Sequence, residues 1–275
     1  HLEEGKIMNV QGTKSLVIAS LGDITSDLPQ GNDLVGVKRH NATKGYCTCS
    51  MNKNFWTSDY NLLLNSHYQQ LTDNQFEEIV VASTLIERKE ISTRYGLHLC
   101  LPILNQLRWE RHFQSPHDVY HATSGKVLKL LKMTIDAFSL EGKSAFIAFH
   151  NVGLLKIGNV FPFIINKLLK SQYFKQSEIY KLQQRLDISR NDLAIKVWLK
   201  CWLIVSKTMA ISFKKYFTEE DYVELQECLE NERKILAQSF EDFENLPNLH
   251  INFHMTQHAR NYANLLNIGV GTKEM

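Results

Sequence analysis

The sequence predicts a predominantly α-helical protein with a small amount of β structure near its N-terminus. From about Thr72 onward, apolar residues recur at the three- and four-residue spacing of helices. Residues 15–22 (SLVIASLG), by contrast, have the β-branched apolar character of one buried strand. With 275 residues, of which 44% are hydrophobic and 22% charged, the chain can bury a substantial core as one or two domains.

Composition excludes several classes of protein. Lys and Arg number 31 and Asp and Glu 29, so nucleic acid binding would depend on local basic patches, not on a global field. The five cysteines are odd in number and mostly isolated, which favours a reducing intracellular compartment over a secreted disulfide framework. The first residues are charged, and lysines interrupt the most apolar stretch, residues 193–213. Neither a signal peptide nor a membrane span is predicted.

The chain divides into three predicted parts. Residues 1–60 contain the strand and a polar, turn-rich segment, residues 61–246 contain the helices, and residues 247–275 begin a further helix. No initiator methionine is present, and the chain stops at Met275 without a helix stop signal. Both ends are therefore expected to be cuts within a longer protein.

Capping residues predict helix starts in the middle part. A helix over residues 73–94 would begin at a capping box of Thr72 and Gln75. One later helix is strongly apolar, and another is charged and would end near residue 244. The predicted starts lie at Thr72, Ser115–Pro116, Asn191 and Thr218 with Asp221.

Asp23 stands where the predicted strand meets a loop. From this position a carboxylate can face solvent and hold a divalent metal against a phosphate. An Asp after a strand is also a common turn or helix-cap residue. Position alone therefore leaves both roles open for Asp23.

A second candidate site contains His40, Cys47 and Cys49. Two thiolates and an imidazole can bind Zn²⁺ and so fasten a loop that lacks regular structure. The one residue between the cysteines is fewer than the two to four usual in short zinc motifs. Two free thiols are therefore the alternative.

Three histidines, His250, His254 and His258, recur every four residues and would share one helix face. Ile251 stands where a metalloprotease requires a general-base Glu, so that function is excluded. A face of partly buried, hydrogen-bonded histidines is predicted instead.

Asp118 and His121 lie three residues apart in the first turn of a predicted helix. Asp118 favours the helix N-terminus electrostatically, which is a sufficient structural reason for it. The pair can also act as an active-site buttress, because residues at i and i+3 share a helix face. Spacing does not choose between the two roles.

Taken in order, these segments resemble the catalytic region of CACTA-type DNA transposases of plants and fungi. Residues 16–49 resemble the block in which a strand ends in Gly-Asp, followed by Gly-x-Lys-x-His-x-Ala and Cys-x-x-Cys. Residues 115–131 (SPHDVYHATSGKVLKLL) resemble its Asp-x-x-His segment, and residues 246–275 its late Leu-Pro-x-x-His block. The matching residues of the first block are Gly22, Asp23, Gly36, Lys38, His40, Ala42 and Cys49.

The resemblance implies an α/β RNase H-like core interrupted by a large all-α insertion at 61–246, with residues 247–275 returning toward the core. It implies an Asp-Asp-Glu triad in which Asp23 is the second Asp, Glu274 is the Glu, and the first Asp lies upstream. The implied chemistry is two-metal cleavage and transfer of transposon-end DNA in the nucleus, with Mg²⁺ or Mn²⁺. This piece, lacking the first Asp, is expected to be inactive alone.

The chain departs from the family pattern at the cysteines. Aligning Cys49 with the second family Cys puts Tyr46 at the first position, so zinc binding would require Cys47 to substitute. Residues 148–160 are also shorter than the family segment, which suggests a decayed copy.

Two other functions are consistent with the sequence. One is a non-catalytic remnant whose helical part binds DNA or a second protomer through Lys126, Lys129, Lys132, Lys196 and Lys200. Lysines along helices are, however, usually solvated. The other is a helical interaction protein with no nucleic-acid role, which the near-neutral charge favours.

Overall fold

The computed structural model describes residues 3–57, 65–147 and 154–269, with the backbone alone over residues 154–159. Glu274 and residues 148–153 of the shortened segment lie outside the described residues. The chain divides into two compact units, one drawn from His1–Asn54 with Asn61–His117 and the other from Phe55–Tyr60 with Asp118–Met275. The boundary near His117 lies inside the predicted helical part. The protein is predominantly helical, as predicted.

The N-terminal segment is an antiparallel hairpin of β1 (Lys6–Val10) and β2 (Thr13–Val17). Gln11 and Gly12 turn the chain with φ angles of 50° and 86°, the left-handed conformation that tight hairpins require. The prediction of one buried strand over residues 15–22 is wrong, because β2 ends at Val17 and Leu16 is 64% exposed. A two-stranded hairpin has no second layer of its own to cover an apolar face.

The remainder of the first unit is helical, with α1 (Leu28–Val35), α2 (Gln69–Val81) and α3 (Leu85–Tyr95). The single helix predicted over residues 73–94 is wrong. The Thr84 hydroxyl accepts from the Glu87 amide at 3.2 Å and begins α3, so the chain breaks after α2.

The predicted capping box at Thr72 is also wrong, because Thr72 lies inside α2. Its hydroxyl is 3.2 Å and 3.0 Å from the carbonyls of Tyr68 and Gln69, and it caps no helix. The apolar core of this unit packs α1 against α2 and α3. Its buried side chains include Val35, Val37, Phe76, Ile79, Ile91, Leu97 and Trp109.

The second unit is a helical bundle around the long α8. Its helices are α4 (Val119–Ala137), α5 (Leu140–Ile147), α6 (Leu154–Lys167), α7 (Gln176–Leu186), α8 (Asn191–Ser212), α9 (Glu219–Ser239), α10 (Pro247–His250) and α11 (Asn252–Asn261). Trp202 of α8 packs on Phe161, with ring centroids 4.2 Å apart, and its indole N–H donates to Thr134 at 3.0 Å. Burial of large rings with their polar atoms satisfied stabilises this core.

Two predicted helix starts in this unit are confirmed. α8 begins at Asn191, and Thr218 with Asp221 forms the capping box of α9. α9 ends at Ser239, earlier than predicted, because Phe240 leaves the helix and packs 4.5 Å from the Trp198 ring.

Short 3-10 helices connect the longer elements. They lie at Lys53–Phe55, Ile103–Gln106, Ser171–Tyr173, Glu241–Phe243 and Leu265–Ile268. None of the described helices combines the length and the apolar composition needed to cross a bilayer.

Candidate functional site

Two of the predicted site residues, Asp118 and His121, form a hydrogen-bonded pair at the start of α4, where Asp118 is the N-cap. Its carboxylate accepts from the backbone amides of Tyr120 at 3.0 Å and His121 at 3.1 Å. The same carboxylate accepts from Nδ1 of the His121 ring. The structural role predicted for Asp118 at the helix start is confirmed, and the pairing with His121 exists beside it.

The two side chains of this pair differ in their exposure. The Asp118 side chain is fully buried, whereas 47% of the His121 side chain is exposed. A carboxylate that accepts from one ring nitrogen fixes the orientation of the imidazole and leaves the other nitrogen for a ligand. The pair can therefore present Nε2 of His121 to solvent in a defined direction.

The main chain around His121 is held from α10. The side-chain amide of Asn248 donates to the His121 carbonyl at 3.3 Å. Asn248 also lies against Gly125, where an added Cβ would be 2.5 Å from its amide nitrogen. Gly125 thus allows the close approach of α10 to α4.

The other predicted catalytic carboxylates are less defined. Asp23 is exposed and lies after the hairpin, outside any strand. As a solvent-facing carboxylate it fits the donor type that Mg²⁺ prefers, but within the described ranges it belongs to no three-ligand group. Glu274 lies outside the described residues, so its role and that of Asp23 in metal binding stay predictions.

The cysteine segment of the first unit is held by a buried network that the sequence did not reveal. The Cys47 thiol lies 3.7 Å from each ring nitrogen of His117, and Thr48 shares a 2.7 Å hydrogen bond with Nε2 of that ring. Burial raises the pKa of the Cys47 thiol to about 12, so the neutral thiol is favoured.

Two more histidines pack beside this segment. His112 donates from Nδ1 to the Cys47 carbonyl at 2.7 Å and shares a 2.9 Å hydrogen bond with the Thr72 hydroxyl. The His67 ring stacks on His112 with centroids 5.0 Å apart. Burial holds the pKa of His112 well below its ordinary value and lowers that of His67 to about 4, helped by Lys44 and Arg111.

The predicted zinc ligands are not brought together as a set. Cys47 and Cys49 are buried and His40 is exposed. Across the described ranges, these three residues do not form a three-ligand cluster. The loop is instead held by the hydrogen bond from His112 to the Cys47 carbonyl and by the one between Thr48 and His117. The arrangement does not fit Zn²⁺ held by His40, Cys47 and Cys49.

The histidine face predicted near the C-terminus lies in the second unit. His250, His254 and His258 are all buried, on α10 and α11, which are separated by Ile251. His250 donates from Nδ1 to the Trp56 carbonyl at 3.0 Å. The predicted hydrogen bonding is confirmed for His250, whereas the three side chains are almost fully buried and not partly buried as predicted. Burial lowers the pKa of His250 and of His258 to about 4.

The three lysines predicted to bind DNA have different surroundings. Lys126 is 2% exposed, and its ammonium lies 2.6 Å from Glu232 of α9 and 2.7 Å from Asn252 of α11. Its assignment to DNA is therefore corrected, because a buried, paired ammonium cannot reach a phosphate. Lys129 is half-buried and pairs with Asp242 at 3.2 Å, while Lys132 is exposed.

Sequence reasoning missed residues that are distant along the chain. The cysteine segment is contacted by three histidines that lie outside the helices, His67 before α2 and His112 and His117 before α4. Lys126 is contacted from two other helices, by Glu232 and Asn252. No local spacing links these positions. The sequence does hold a signal for Lys126, because it lies four residues from both Ala122 and Leu130 and so shares a helix face with these buried side chains.

Comparison with known proteins adds no assignment to this geometry. No family model matches the chain, and no curated protein matches it.

Proposed function

We propose that this chain is part of the catalytic region of a CACTA-type DNA transposase, acting on transposon-end DNA in the nucleus. The ordered sequence blocks support the proposal. The observation that carries it is the Asp118–His121 pair, because the segment that resembles the family's Asp-x-x-His block forms a buried carboxylate that holds a half-exposed imidazole. Such a preorganised pair suits a site where a phosphate reacts.

Each predicted part has a defined role in this proposal. Asp23 is a metal ligand, and its exposure agrees with contact to a metal ion and a phosphodiester. Bound Mg²⁺ or Mn²⁺ would supply activation of the attacking oxygen and stabilisation of the leaving oxygen. Glu274 is proposed as the last carboxylate of the triad, on sequence grounds alone.

Most of the insertion lies in the second unit, and in this proposal its helices beyond the Asp118–His121 pair bind DNA and take no part in the reaction. Lys132, exposed on α4, is its best candidate for a phosphate contact, and Lys129 would have to leave Asp242 to make one. Lys126 takes no part in DNA binding. Zn²⁺ is not included, because the predicted ligands do not converge.

The proposal is tested by cleavage and joining of labelled transposon-end DNA in Mg²⁺ or Mn²⁺. The protein is a longer version that contains this chain and the upstream Asp implied by the family. We expect cleavage by the parent and none by Asp23→Asn. Asp27→Asn is the matched control, because Asp27 caps α1 and Asn caps a helix about as well.

Three other outcomes have distinct meanings. Cleavage by Asp23→Asn at the parent rate would refute the metal role of Asp23. If the parent and its variants bind DNA but none of them cleaves it, the protein is a non-catalytic, DNA-binding remnant. Absence of DNA binding at low salt would favour the helical interaction protein.

A further inference from the structure

We propose that the exposed side of α8 and α9, termed the α8–α9 face, binds a second copy of this chain in antiparallel orientation. Six exposed residues define the face, namely Lys200, Leu203, Glu220, Val223, Glu227 and Lys234. The inference does not rest on the proposed function, because it concerns assembly of the protein and not its reaction with DNA.

Helices α8 and α9 are antiparallel neighbours within the second unit. The Cys201 thiol lies 3.8 Å from the Ser239 hydroxyl, and the Thr208 hydroxyl lies 3.5 Å from the Cys228 carbonyl, so residue numbers rise along α8 as they fall along α9. The first half of α8 therefore lies beside the second half of α9.

The exposed sides of the two helices form one surface. Lys207 and Glu224, each about half exposed, join them through an ion pair at 2.9 Å. Leu203 and Val223 lie on either side of this pair along the helices and are 52% and 55% exposed. The face thus carries two aliphatic side chains that a partner can cover.

Charges of opposite sign occupy the two halves of the face. Lys200 and Lys234 lie in one half, and Glu220 and Glu227 lie in the other. Across the described ranges, none of these four side chains takes part in an ion pair. Lys215, in the connection between the helices, adds an exposed cation to the acidic half and reduces its negative charge without cancelling it. The four side chains are therefore available to a charged partner.

This order of charges is self-complementary. A two-fold axis that crosses the middle of the face at right angles to the helices reverses the direction of the second copy, so its acidic half lies over the basic half of the first. The same rotation brings Leu203 of one copy toward Val223 of the other. Because such a contact is isologous, each pairing occurs twice.

The same charges disfavour DNA as the partner of this face. A duplex that lies along the helices from Lys200 would also pass Glu220 and Glu227, whose carboxylates repel phosphates. A protein surface that carries both signs of charge can match both halves. A second protomer therefore fits Lys200 better than DNA does.

The size of the face fits a weak dimer. Helix α8 has 22 residues and is about 33 Å long. With helix axes about 9 Å apart, the two helices present roughly 600 Å² in each copy. The dimer would then bury about 1,200 Å² in total, which is at the lower end for a specific interface, so it should form at micromolar concentrations.

The test is sedimentation equilibrium of the chain at low and at high salt, at concentrations up to about 200 µM, since an interface of this size implies a micromolar Kd. We expect an equilibrium between monomer and dimer at low salt. High salt should shift it toward the monomer, because exposed charges are then screened.

The double reversal Lys200→Glu with Lys234→Glu makes both halves of the face negative. Like charges then oppose each other at both contacts of the dimer, so Kd should rise more than about tenfold. The fourfold variant, which adds Glu220→Lys and Glu227→Lys, restores opposite signs at the net charge of the parent. Its Kd should return to within about threefold of the parent value.

Lys89→Glu with Lys132→Glu is the matched control, because both lysines are exposed, neither lies on α8 or α9, and the change in net charge equals that of the double reversal. Its Kd should equal that of the parent. All the substituted positions are exposed, so the circular dichroism of every variant should match the parent, which separates loss of the dimer from loss of the fold.

Three results would overturn the inference. The first is a parent that stays monomeric at low salt over the whole concentration range. The second is a double reversal that dimerises as the parent does, and the third is a fourfold variant that stays monomeric. None of these results concerns cleavage of DNA, so the proposed function stands or falls on its own test.

Discussion

Replacing Lys126 tests the buried ionic network that joins α4, α9 and α11. The Lys126 ammonium lies 2.6 Å from Glu232 and 2.7 Å from Asn252, and the Asn252 amide donates to Glu232 at 3.1 Å. All three residues are at most 2% exposed. Lys126→Met would leave the Glu232 carboxylate buried without a cation, which costs about 3–5 kcal/mol of unfolding free energy.

The double variant Lys126→Met with Glu232→Leu should recover part of this loss. Both charges are then absent, and the remaining cost is that of Asn252 with fewer partners, about 1–3 kcal/mol. The two single changes should therefore not add, and the coupling free energy should be at least about 2 kcal/mol.

Urea unfolding followed by tryptophan fluorescence measures these values. Three of the four tryptophans, Trp56, Trp198 and Trp202, lie in the second unit and are buried, so the signal reports mainly on the unit that contains the network. Lys132→Met, on the exposed side of α4, is the control and should change stability by no more than about 0.5 kcal/mol. A loss below about 1 kcal/mol for Lys126→Met, or additive single losses, would refute the network as described.

Two further predictions concern acid stability and backbone conformation. Burial lowers the pKa of His258 to about 4, so as the pH falls the unfolded chain binds a proton before the folded chain does. The contribution of His258 to the free energy of unfolding should therefore be fully present above about pH 6.5 and fall by up to about 3 kcal/mol toward pH 4. His258→Phe should flatten this dependence in urea midpoints measured against pH, and parallel curves would contradict it. Gly36 has φ 76°, and an added Cβ would lie 2.7 Å from Pro102, so Gly36→Ala should cost the first unit more than about 2 kcal/mol. Gly12 also has a positive φ, 86°, but an added Cβ would meet open space, so Gly12→Ala should cost only about 1 kcal/mol. Unfolding of the first unit is followed through Trp109 emission, and equal losses for the two variants would contradict the steric reason.

Part of the candidate site could be predicted from the sequence. The Asp-x-x-His spacing placed Asp118 and His121 on one face of a helix start, and both the cap and the pair are present. The environment of Cys47 could not be predicted in this way, because His112 and His117 approach it from 65 and 70 residues away. A ligand set depends on such approaches, and the choice of His40 rested on its nearness in sequence.

The sequence by itself determined where several helices begin and whether they are mainly apolar or mainly charged. Caps such as Thr218, and the apolar spacing after Asn191, act through neighbours within a turn or two, so they carry over directly to the structure. Only the tertiary structure decided that Lys126 is buried in an ion pair and that the apolar run at residues 15–22 is an exposed hairpin strand over part of its length. Burial depends on side chains brought from distant positions, and no local pattern specifies them.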